Sequence, residues 1–139
     1  MRAVLDSNVL ISAAITRGTT RRIVQDWFER ESFELIVSES ILAEVAAVLL
    51  ERDQMRRWIS IEDARLYVER LATTADVRTD PPGGPPLTRD PDDDFVIYLA
   101  REQNADVIVS GDRDLLEWSE QTPPIVTPAS FLQLLDEGH

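Results

Sequence analysis

Four acidic residues stand where the hydrophobic pattern of this 139-residue chain is interrupted. Asp6 ends the apolar run Ala3-Val4-Leu5, and Asp112 follows the run Val107-Ile108-Val109 after the small residues Ser110 and Gly111. Asp93 lies within Asp90-Pro91-Asp92-Asp93-Asp94, and Glu44 falls in an apolar stretch between Ile41 and Val48. Carboxylates brought together raise one another's pKa, so a cluster of this size calls for cations. The chain has no Cys and a single His, its C-terminal residue. A metal site built from side chains must therefore be mainly of oxygen, which selects Mg²⁺ or Mn²⁺. Water on such an ion can attack a phosphodiester while the ion steadies charge at phosphorus and on the leaving oxygen. Acid-rich crevices without His or Cys suit phosphoryl hydrolysis better than acyl transfer.

Each acid also has a plainer reading. Asp6-Ser7-Asn8 are all good helix N-caps, and acids near a helix start complement its dipole. Glu44 could be a stripe-edge residue reaching water. What favours a shared site is the set of elements that deliver these acids. The run ending at Asp6 reads as a buried strand turning directly into a helix that continues to Ile15. A loop over Thr16–Thr20 and an amphipathic helix over Arg21–Glu31 follow, with Trp27 and Phe28 on its apolar side. Glu34–Val37 is a second strand. Ser38 and Ser40 cap a helix to Leu50, whose stripe of Ile41, Val45, Val48 and Leu49 has Glu44 on its side.

A short helical piece spans Asp53–Trp58, and Ser60-Ile61-Glu62-Asp63 resembles a capping box for a helix to about Ala72. Ala75–Val77 is a brief third strand, and Asp80–Pro86 a turn-rich surface loop. Asp90 as N-cap and Pro91 as first residue start a helix that runs to Gln103. At 3.6 residues per turn Asp93 shares a face with Ile97 and Ala100 and points to the core, while Asp92 and Asp94 face sideways. Ala105–Val109 is a buried strand ended by Ser110-Gly111-Asp112, then a helix through Leu115-Leu116. Ile125-Val126 is a last strand, and Pro128–Leu135 a closing helix. Strands alternating with helices predict a three-layer α/β/α fold with a parallel sheet of four or five strands. Ala3–Leu5 should be central, with Val107–Val109 beside it. Residues 1–139 form a single domain by length.

The net charge of −12, with all fourteen cationic residues arginine, argues against unspecific nucleic-acid binding. Arg17, Arg21 and Arg22 follow the first helix, and Arg89 and Arg113 adjoin the later acids. These arginines either contact RNA phosphates or only balance neighbouring acids. No stretch is long and apolar enough for a membrane span, and the N-terminus has no signal-peptide pattern, so a cytoplasmic location is expected.

Taken together, Leu5-Asp-Ser-Asn-Val-Leu-Ile-Ser-Ala13, Glu44 after Ser40-Ile-Leu-Ala43, Asp90-Pro-Asp-Asp-Asp94 and Val109-Ser-Gly-Asp-Arg-Asp-Leu-Leu116 resemble a PIN domain. They are most similar to VapC-like toxin components of toxin–antitoxin pairs. The resemblance implies metal-dependent cleavage of RNA, with Asp6, Glu44, Asp93 and Asp112 as metal ligands. Asn8 takes the family's polar position after the first acid, where it orients Asp6 or a metal-bound water. Ser7 keeps a hydroxyl where many relatives have threonine. Asp92 and Asp94 remain alternatives to Asp93, Asp114 can supplement or replace Asp112, and Ser110 is a supporting residue.

The resemblance also implies a small cognate antitoxin, blocking the crevice with an inserted segment that carries a positive side chain. Part of the Trp27–Phe28 face is available to an amphipathic helix unless both rings are core. The homodimeric state is open. Two further readings stay within the family, an RNA-processing nuclease without an antitoxin and a catalytically silent binding scaffold. A haloacid-dehalogenase-type phosphatase also places an acid at its first strand end. It needs a second Asp where Asn8 stands, and a lysine that this chain lacks.

Overall fold

The computed structural model describes residues 1–138. Five strands, β1 (Arg2–Leu5), β2 (Glu34–Ser38), β3 (Asp76–Arg78), β4 (Val107–Val109) and β5 (Ile125–Val126), form one sheet in the order β3-β2-β1-β4-β5. Every ladder is parallel. Ala3 pairs with Leu35 on one side and Val107 on the other, and Val4 with Ile36 and Ile108. A strand paired on both edges and covered on both faces must be apolar throughout, and Ala3, Val4 and Leu5 are fully buried. β1 is central with β4 beside it, as the two apolar runs predict.

Among the described residues seven helices accompany the strands: α1 (Ser7–Ile15), α2 (Thr19–Arg30), α3 (Glu39–Glu51), α4 (Ile61–Thr74), α5 (Pro91–Glu102), α6 (Arg113–Leu116) and, after the last strand, α7 (Pro128–Glu137), with a 3₁₀ turn over Asp53–Arg57. Their starts follow from side-chain caps. Ser38, Ser60 and Thr127 accept from the backbone N–H groups of Ile41, Asp63 and Ser130. α2 begins at Thr19 rather than Arg21, with Gly18 before it, so Thr19 and Thr20 belong to the helix and not to a loop. β4 is two residues shorter than the predicted strand Ala105–Val109: Asn104 takes a left-handed φ of 54° just before it, and the Asp106 carboxylate accepts the Arg2 N–H at 2.7 Å.

The chain order places the crevice. From β1 it moves outward through β2 to β3, then returns across the sheet to β4 and β5. The reversal between β1 and β4 is the topological switch point, and ligands of open parallel sheets bind beyond the strand ends there. Asp6 follows β1 and Ser110 to Asp112 follow β4. Among the described residues no helix is long and apolar enough to cross a membrane.

Candidate metal centre

Asp6 caps a helix and is also tied to the end of β4. As N-cap of α1 its Oδ1 accepts the Val9 N–H at 2.9 Å, and its Oδ2 accepts the Ser110 hydroxyl. The residue is 8% exposed. Burial raises its pKa; the bonds from Ser110 and Val9 oppose this, and the charges of Asp112 and Glu44 push the same way as burial. Ser110, wholly buried, serves both strand ends, because its oxygen also accepts the Asp112 N–H at 3.0 Å. Asp112 in turn caps α6 by accepting the Asp114 N–H at 2.9 Å.

Asp93 comes from the first turn of α5 and is 6% exposed. Its Oδ2 is buried and has no hydrogen-bond partner among the described residues. Burial first, then the charges of Asp112, Asp90 and Asp114, push its pKa to about 7. An unpartnered buried carboxylate oxygen is costly unless a cation meets it.

Asp6, Glu44, Asp93 and Asp112 line one crevice of about 520 Å³, with Ser7, Asn8 and Asp92 also on its wall. Glu44 is exposed. The structure adds Asp90 to that wall. One carboxylate oxygen each from Asp90, Asp93 and Asp112 lies within 4.8 Å of the others, close enough to hold a metal ion. The sequence pattern assigns Asp90 to capping alone, and it does cap α5 by accepting the Asp92 N–H at 2.9 Å. The available signal is the spacing: residues three apart at a helix start lie on one side. The all-oxygen donor set and the orphaned Asp93 oxygen fit a hard divalent cation such as Mg²⁺ or Mn²⁺.

The three consecutive acids separate in space. Asp92 is exposed on the wall and Asp93 is buried. Asp94 turns away from the crevice, accepting the Leu87 N–H at 3.2 Å and the Thr88 N–H and hydroxyl at 2.7 Å each. Burial alone would raise the Asp94 pKa, but the bonds from Thr88 and Leu87 lower it. Asp94 is thus a loop anchor in this fold rather than a crevice residue. Asp114 is exposed and lines a shallow depression with Arg89 and Trp118, outside the crevice.

Arg17, Arg22 and Arg113 are exposed, and none of the five candidate arginines lines the crevice. Arg21 lines a separate groove of about 580 Å³ at the other end of α1, with Arg56, Arg57 and Arg70. Phe28 is part of that groove, whereas Trp27 is 4% exposed and belongs to the core. The two rings touch, their centroids 4.7 Å apart.

Residues 2–114 match the sequence model of the PIN domain. The chain belongs to the PIN-domain family. PIN domains are generally nucleases and typically bind divalent metals. A PIN-sized relative in Methanocaldococcus jannaschii, the uncharacterized protein MJ1680, is 28% identical over 142 residues, covering 96% of this chain and 90% of its own length. Among solved structures, PAE2754 from Pyrobaculum aerophilum superposes with a TM-score of 0.64 at 18% identity, over 99% of this chain and 90% of its own. VapBC2 from Rickettsia felis, solved bound to a DNA fragment from its promoter, gives a TM-score of 0.58 at 10% identity, over 91% and 98%. At such identities these two likenesses concern the PIN fold.

Proposed function

We propose that this PIN domain is a metal-dependent endoribonuclease and the toxin of a two-protein toxin–antitoxin pair. The observation that carries the reading is the convergence of Asp6, Glu44, Asp93 and Asp112, from four different elements, on one crevice with no arginine on its wall. These acids would hold Mg²⁺ or Mn²⁺, which supplies an activated water and a counter-charge for the phosphorane when bound.

The chain's own residues do the rest. Ser110 holds the Asp6 carboxylate at the end of β1 and ties it to the Asp112 backbone. Ser7 and Asn8, in the first turn of α1, present polar side chains at the crevice to orient a phosphate or a water. An RNA strand brings its own charge to a site of the same sign, so its approach depends on the bound cation rather than on a basic surface. The VapBC-like fold supports a small antitoxin partner whose basic side chain would neutralise the same carboxylates. Such a pair would work in the cytoplasm.

The test is incubation of purified protein with mixed RNA, with Mg²⁺, with Mn²⁺ and with chelator, followed by mapping of cut ends. Metal-dependent internal cuts are expected. Co-expression with the protein encoded by the adjacent gene should yield a complex in which cleavage is lost. If the neighbour neither co-purifies nor changes cleavage, the chain is a processing nuclease. If RNA stays intact under every metal condition, it is a scaffold.

A further inference from the structure

We propose that Asp90 is a metal ligand, joining Asp93 and Asp112 in a cation seat on the same crevice wall as Asp6 and Glu44. The inference rests on the metal-dependent reading above and concerns which acids grip the ion. Ligand oxygens of the three residues lie within 4.8 Å of one another. Opposite ligands of a hard octahedral cation with bonds of about 2.1 Å are about 4.2 Å apart, so small side-chain movements suffice to close on an ion.

Independent of this clustering, the Asp93 Oδ2 is buried without a partner among the described residues, and Asp93 lines the same crevice. Asp90 spends one oxygen on the Asp92 N–H, and its other oxygen has no hydrogen bond among the described residues. None of the three acids is in a salt bridge among the described residues. Asp6 differs, since both of its oxygens already accept hydrogen bonds, from Val9 and Ser110. Glu44 differs too, being exposed to water that screens it. The uncompensated charge is therefore concentrated at the start of α5 and the cap of α6.

Asp90→Asn separates the two roles of this residue, because asparagine caps a helix as well as aspartate does but carries no charge. Mn²⁺ is titrated into the full-length parent and variants without RNA, and the free ion is followed by electron paramagnetic resonance. Asp90→Asn, Asp93→Asn and Asp112→Asn should each weaken Mn²⁺ binding at least tenfold, and Asp94→Asn, outside the crevice, should leave it unchanged. Thermal melts confirm folding, and Asp90→Ser, which also caps, replaces Asp90→Asn if that variant fails to fold. Anomalous scattering from crystals of the parent grown with Mn²⁺ locates the ion without any variant, and an ion bonded to the Asp90 carboxylate is expected. Parent-like binding by Asp90→Asn, or an ion held by Asp6 and Glu44 without Asp90, overturns the proposal and leaves the metal-dependent reading intact. A parent that binds no Mn²⁺ overturns both.

Discussion

The two ends of α1 carry opposite charge and treat it in opposite ways. At its N-terminal end Asp6 and Asp93 are withdrawn from water and share a crevice with Glu44, Asp90, Asp92 and Asp112. At its C-terminal end, beside Ala13 and Ala14, four arginines line a groove. There the charge is relieved locally. Arg70 lies over the Phe28 ring at 3.8 Å, Arg57 over Trp58 at 5.4 Å, and Arg56 donates to the Leu49 carbonyl. Of the groove's arginine nitrogens, the Arg56 Nη1 is left buried without a partner among the described residues. Both regions are dense in charge, but Asp93 is both buried and left with an unpartnered oxygen among the described residues. Desolvated like charges with displaced pKa values are candidates for a binding site, whereas arginines stacked on aromatic rings have their charge met within the fold.

The largest test of this contrast is charge removal in the crevice. Asp6→Asn and Asp93→Asn keep side-chain size and should each lower metal-dependent RNA cleavage at least ~100-fold, since several kcal/mol of charge stabilisation pass through the ion. Parent-like rates in single-turnover assays would reduce Asp6 to a helix cap. Next comes Ser110→Ala, which leaves the Asp6 Oδ2 and the Asp112 N–H without their shared hydroxyl. A cleavage loss of about 10–100-fold is expected for an outer support of a metal site, with a stability loss of about 1–3 kcal/mol in urea unfolding.

Asp94→Ala sharpens the comparison within a single run of acids. It should cost about 1–3 kcal/mol of stability, because the Leu87 and Thr88 donors lose their acceptor. Cleavage per folded molecule should match the parent, and a collapse of activity would put Asp94 back in the site.

Metal-free protein offers a pH test of the crevice. Asp93 has an ordinary value of 3.8 when unfolded and about 7 in the fold. Between these values the native state keeps a proton that the unfolded chain has released, so this residue makes stability fall as pH rises. Below 3.8 both states are protonated, and above about 7 the loss is complete and the profile flattens. Asp6, raised in the same direction, adds to the trend. Denaturation of chelator-treated protein at stepped pH should show this fall, and Asp93→Asn should remove most of it. Identical profiles for the two proteins would mean that Asp93 is not strained. The smallest effect belongs to the groove: Arg70→Ala should cost about 0.5–1 kcal/mol, with Mn²⁺ affinity unchanged.

Much of this arrangement is legible in the sequence. Buried runs ending in acids are enough to place Asp6 and Asp112 at neighbouring strand ends, and helix phase is enough to turn Asp93 inward. Asp90 escapes such a reading because Asp-Pro is so complete a helix start that capping accounts for it fully. The donors to Asp94 lie in the preceding loop, and helix phase carries no information about a loop's path. The hydrogen bond from the Ser110 hydroxyl to Asp6 depends on the pairing of β1 with β4, more than a hundred residues apart in the chain. Trp27 and Phe28 are adjacent on one amphipathic helix, and which ring is core and which lines the groove is decided by the elements packed around it. Tyr67 of α4 meets the Phe28 ring edge-on at 6.4 Å.

The central place of β1 has a consequence for biosynthesis. Of the five strands it leaves the ribosome first, yet one of its edges waits for β4, the fourth to be made. Contacts so distant in sequence form late. Until Ser110 and Asp112 emerge, Asp6 has neither its hydroxyl partner nor its neighbouring acid, and the open edge of β1 is exposed to other strands. The crevice is thus absent from the growing chain until β4 and the residues that follow it have emerged.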